Sequence, residues 1–129
     1  MLGPHFEHIA RAWIARFASE TTTGGSVTEA GHARVACREH RFEHELDVVT
    51  LEGSEVTLIG EAKYTARART IGDLNRLEHI RPMVDRGGGT QVKLALFAGR
   101  GGFRDDLVAL AAGRDDVELV DLDRLYFGD

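Results

Sequence analysis

The chain has 129 residues, 43% of them apolar and 29% charged, which fits one globular domain with its own core rather than a disordered chain. A net charge of −5 argues against bulk electrostatic coating of nucleic acid, and a single cysteine, Cys37, excludes an internal disulfide. No stretch is apolar for long enough to span a membrane. The start, MLGPHFEHIA, lacks the pattern of a signal peptide, so a cytoplasmic protein without a membrane partner is expected.

In chain order, Phe6, Ala10, Trp13 and Phe17 recur at helical spacing with Ile9 and Ile14 beside them, predicting a helix from Gly3 to Ser19 with Pro4 in its first turn. Thr21 to Ser26 reads as a loop, and Ser26 to Glu39 as a weak strand centred on Ala33 to Cys37. Glu43 to Leu51 and Glu55 to Tyr64 are stronger strands joined by a turn at Gly53-Ser54. Thr70 to Arg86 reads as a helix on Ile71, Leu74, Leu77 and Ile80, which Pro82 should kink or end. Gln91 to Ala98 is a buried strand, Phe103 to Ala112 a helix and Val117 to Asp121 a short strand, followed by a tail with Leu125, Tyr126 and Phe127. Three consecutive strands make an antiparallel meander. The later strand–helix–strand unit needs a parallel crossover, so an α/β fold with a mixed central sheet flanked by helices is expected.

Folding the two strong strands about Ser54 in strict alternation sets Leu51 against Thr57, Val49 against Ile59, Asp47 against Glu61 and Glu45 against Lys63, all on one face. Leu46, Val48, Leu58 and Ala62 then take the other face. Carboxylates directly opposite one another repel, and a hard divalent cation such as Mg²⁺ would relieve the pair. Lys63 on the same face could orient a water or stabilise charge on a phosphorane-like transition state. Glu7, on the flank of the first helix's apolar stripe, can face the same rim.

Other patterns carry blander readings. His40-Arg41-Phe42-Glu43-His44 matches H-x-x-E-H, but that zinc-protease motif needs a helix and here it runs into a strand. His5 and His8 read as surface or capping residues, Gly99 to Gly102 as a turn, Trp13 as core, and Cys37 as a small core or edge residue. The arginines bunch at Arg34, Arg38 and Arg41 and again at Arg67, Arg69 and Arg76, each cluster reading by default as a solvated face.

The segments GPHFEHIARAW, HELDVVTLEG, VTLIGEAKY and VELVDLDRLY together resemble the PD-(D/E)XK nuclease superfamily. More narrowly, they resemble the nuclease-like domain at the C-terminus of certain archaeal and bacterial ATPases. The resemblance spans nearly the whole chain as a single domain and implies a restriction-endonuclease-like αβββαβ core. It implies that Asp47 is the first metal-binding acid, Glu61 the second, Lys63 the motif lysine within GEAK, and Glu7 a helix-borne assistant. Leu46 stands where many members have proline. Mg²⁺ or Mn²⁺ would then sit between Asp47 and Glu61 with the Ala62 carbonyl, while Arg67, Arg69 or Arg76 hold neighbouring phosphates.

The implied activity is metal-dependent hydrolysis of phosphodiesters, in DNA first and RNA as the alternative. A second reading is a non-catalytic or weakly catalytic nucleic-acid- or protein-binding module serving a fused or separate ATPase; no G-x-x-x-x-G-K-[ST] loop occurs in this chain. A third is a junction-resolving or restriction-type enzyme working as a homodimer.

Overall fold

A computed structural model describes residues 3–16, 18–37, 43–84 and 92–128. Phe17, Arg38, Glu39, His40, Arg41, Phe42, Arg86 and Gln91, named above, lie outside the described residues. The elements are α1 (Gly3–Arg16), α2 (Glu20–Thr23), β1 (Glu29–Ala36), β2 (Glu43–Glu52), β3 (Glu55–Lys63), α3 (Ile71–Val84), β4 (Lys93–Ala98), α4 (Asp105–Ala112), β5 (Val117–Val120) and α5 (Leu122–Phe127).

The strands form one five-stranded sheet in sequence order, β1-β2-β3-β4-β5. The first two pairings are antiparallel and the last two parallel, as the meander and crossover require. The class is therefore α/β, with a mixed sheet covered by helices on both faces. On one face Phe6, Ala10, Trp13 and Ile14 of α1 pack on Val48, Leu58, Ala62, Ala95, Phe97 and Val120. On the other, Leu74, Leu77 and Ile80 of α3 and Leu107 of α4 pack on Leu46, Ile59, Leu94, Leu96 and Val117. All six residues of β4 are buried, which explains the unbroken apolar run LALFA that follows Lys93.

Strict alternation fails twice. Gly31 pairs with Val49 but Ala33 pairs with Leu46, so β2 carries one extra residue at Asp47–Val48. Leu46 therefore lies on the α3 face while Val48 lies on the α1 face, correcting the expectation that they share one. A second bulge falls at Thr57: Thr50 pairs with Leu58 and Leu51 with Val56, in place of the expected Leu51–Thr57 pair. Beyond this bulge Val49 pairs with Ile59 as expected.

Smaller corrections have local causes. Ile9 is 39% exposed, outside the α1 stripe. The expected loop after α1 begins with a helical turn, α2, which Ser19 caps by accepting from the Thr22 amide and Gly24 ends at φ 81°. Pro82 lies inside α3, which runs on to Val84; in the last turn, proline forfeits one amide bond without ending the helix. The tail is helical, because Asp121 caps α5 and Leu122 and Leu125 pack against the α1-side core.

Candidate active site at the parting of two strands

The β2–β3 ladder closes at Val48↔Gly60. Beyond it the Asp47 carboxylate takes the place of a backbone partner, its Oδ2 accepting the Ala62 N–H at 2.9 Å. The Asp47 carbonyl accepts from Arg11 of α1 at 2.8 Å. Glu7, one turn before Arg11, hydrogen-bonds the Asp47 carboxylate and so faces the sheet, as the flank position predicts.

Both acids of this pair hold their protons more tightly than ordinary carboxyls. Glu7 is raised first by burial, then by the negative charge of Asp47. Asp47 is also raised first by burial; the Ala62 amide opposes this and the Glu61 charge adds to it. Two carboxyls with elevated proton affinity, bonded to each other at the edge of a core, are a chemically poised feature.

Glu61 follows Ile59 onto the α3 face and is only 3% exposed. Its Oε1 accepts from Arg69 Nη2 at 3.1 Å and lies 3.1 Å from Lys63 Nζ, and its Oε2 pairs with Arg76 of α3. Asp47 thus reaches toward α1 while Glu61 is turned to cations on the α3 side. The expected cross-strand pair of mutually repelling carboxylates on one face does not form. Glu61 is neutralised by guanidinium and ammonium groups, and Glu45 pairs with Arg34 across β1–β2 at 3.2 Å rather than with Lys63.

The three arginines expected to hold phosphates separate. Arg69 is 2% exposed and spends its donors on protein: Nε on Asp73, Nη1 on the carbonyls of Glu61 and Phe97, Nη2 on Glu61. It is an internal tie between the ends of β3 and β4 and the start of α3. Arg76 is partly exposed and also bonds the Glu45 carbonyl. Arg67 is exposed. A cleft of about 300 Å³ lined by Lys63, Thr65, Arg67, Thr70 and Asp73 opens on one side of this rim. Another of about 420 Å³, lined by Arg34, Glu43, Glu45 and Arg76, opens on the other. The GRGGF turn shapes the first cleft: a Cβ on Gly101 would run into the Arg67 backbone, so glycine lets the turn lie against the segment leaving Lys63.

Sequence reading missed one further group. Cys37, His44 and His79 offer ligand atoms that all lie within 4.8 Å of one another, and among the described residues this is the one such set of three or more His, Cys, Asp or Glu side chains. The histidines sit 35 residues apart, on β2 and α3, so no local spacing betrays them. His5 and His8 are exposed on α1, and Glu43 and His44 lie on a strand, as expected when the zinc-protease motif was set aside. No described helix is long and apolar enough to cross a membrane.

Comparison with protein-family models, with curated proteins and with solved structures yields no match.

Proposed function

We propose that the chain is a metal-dependent nuclease of the PD-(D/E)XK kind, acting on DNA at the rim where β2 and β3 part. One observation carries this reading: the Glu7–Asp47 carboxyl pair, with both proton affinities raised, stands beside the Glu61–Lys63 ion pair at the open end of a ladder. These are the residue types the sequence resemblance calls for, drawn from three different elements.

The oxygen donors fit Mg²⁺ or Mn²⁺. Burial first and neighbouring negative charge after it raise Glu7 and Asp47, and a cation would relieve the second of these. Asp47 and Glu7 would hold it, with the Ala62 carbonyl adjoining, and when bound it would polarise a phosphate oxygen and acidify a water. The chain's own groups do the rest. Asp47 is fixed in place by the Ala62 amide. Lys63, half exposed and tethered to Glu61, presents its ammonium to charge developing on the phosphoryl oxygens. Arg76 and Arg67, lining the two clefts, would meet flanking phosphates.

A second reading draws on the three cations around Glu61. As the buried counter-ion of Arg69, that carboxylate has a structural reason to exist, as it would in a binding module that keeps the fold without cleavage. Incubating plasmid and single-stranded DNA with the protein in Mg²⁺ or Mn²⁺ separates the two. Wild type should nick or degrade DNA, and Lys63→Ala, with an unchanged far-UV circular dichroism spectrum, should lose about 100-fold or more in rate. Cleavage that persists in the variant would trace to contamination and end the nuclease reading.

A further inference from the structure

We propose that Cys37, His44 and His79 form a zinc site that pins α3 to the Ala36–Glu43 end of the β1–β2 pair. The three ligands come from three elements: Cys37 directly after β1, His44 near the start of β2, and His79 on α3. Val35 pairs with His44 in the ladder, so Cys37, two residues on, shares the sheet face of His44 and lies diagonal to it. That face is the one α3 covers.

Cys37 Sγ and His79 Nε2 are 3.8 Å apart. Two ligands of one tetrahedral zinc, at about 2.3 Å for sulfur and about 2.0–2.1 Å for nitrogen, stand about 3.5 Å from each other. The His44 and His79 rings lie 5.6 Å apart between centroids, edge to face at 79°. Thiolate and imidazole are soft to borderline donors, the set that selects Zn²⁺ over Mg²⁺. Cys37 and His44 are buried and His79 is half-buried, which leaves the helix side of the site as the way in. Three protein ligands leave a fourth position for water.

Binding replaces the Cys37 thiol proton with the metal, so each zinc bound releases one proton from this residue. The consequence for the rest of the molecule runs along α3. His79 is three residues after Arg76, one helical turn, and Arg76 is the α3 side chain that grips Glu61. A metal at His79 thereby fixes the helix that presents a cation to the candidate active site.

Cys37 is the only cysteine in the sequence, which makes the test unambiguous. The full chain is titrated with Co²⁺ and its absorption followed. One equivalent should bring up the intense visible bands of tetrahedral cobalt and a near-ultraviolet thiolate-to-cobalt charge-transfer band, and Zn²⁺ should bleach both. Cys37→Ser should abolish the charge-transfer band, and His79→Ala should weaken Co²⁺ binding at least about 100-fold. His79 is partly exposed, so its replacement leaves the fold intact by circular dichroism even if a His44 variant does not. Absence of the charge-transfer band in wild type, or its survival undiminished in His79→Ala, would overturn the site. Neither outcome bears on the nuclease reading, because cobalt on the carboxyl pair produces no thiolate band.

Discussion

Asp47 does two things at once that pull against each other. Its Oδ2 completes a backbone hydrogen bond that β2 can no longer supply, and its charge sits among other acids in partly buried surroundings. A carboxyl whose proton affinity is raised on folding makes the folded state bind more protons than the unfolded chain. Its contribution is therefore full below the ordinary carboxylate range and is lost as pH climbs through the raised value. At neutral pH the ionised Asp47 and Glu7 are a cost. Asp47→Asn keeps an oxygen for the Ala62 amide and gives Glu7 an N–H donor, so it should raise the melting temperature at pH 7 by about 2–5 °C. Under the proposed function the same change should abolish cleavage. An Asp47→Asn protein that melts lower than wild type at pH 7 would show that the ionised carboxylate is not under strain. Arg69 is the opposite case: every nitrogen of its guanidinium finds a protein acceptor.

Ties between elements also run through a charged network around Asp116, just ahead of β5. Asp116 accepts from Arg114 at 2.8 Å and 3.0 Å and from Arg81 of α3 at 2.8 Å, while Arg114 also pairs with Glu78. The Arg114 hydrogen bonds, with Arg81 adding to them against burial, hold Asp116 far below the usual carboxylate range. A lowered acid contributes stability above its unfolded value and loses it as pH falls through the folded one. Asp116→Asn should therefore destabilise the protein by about 1–3 kcal/mol at neutral pH, with the gap to wild type closing in strong acid. Urea midpoints at the two pH values would measure it, and a gap that is the same at both would rule out the charge as its source. Most elements were legible beforehand because their periods are local. The alternation of ELDVV and VTLIG, the run KLALFA and the stripe of Phe6, Ala10 and Trp13 each reflect burial on a known face. The two bulges were not, since Asp47 and Thr57 are unexceptional strand residues and the extra residue is defined only by its neighbour's register. The site was half legible for the same reason. Glu7, Asp47, Glu61 and Lys63 could be named, but what each one holds depends on Arg69 and Arg76, which reach Glu61 from 8 and 15 residues away.

For the whole molecule, one sheet serves two cores. β3 and β4 are buried on both faces, contributing Leu58, Ala95 and Phe97 to the α1 side and Ile59, Leu94 and Leu96 to the α3 side. Neither helix layer can leave without exposing strands the other needs. Trp13, the sequence's only tryptophan, lies in the α1-side core against Phe97, so its fluorescence reports that face alone, whereas circular dichroism reports every element. The two signals should trace a single coincident urea transition. An earlier loss of tryptophan fluorescence would mean that the α1 layer detaches by itself. The extra residue at Asp47–Val48 lets Leu46 and Val49 share one face although they stand three positions apart. Removing it would restore strict alternation and leave His44 and Leu46 on the face they hold, while taking away the irregular step at which Asp47 reaches Ala62. A descendant that lost Asp47 as a one-codon deletion would keep the thiol–imidazole trio and forfeit the carboxyl couple.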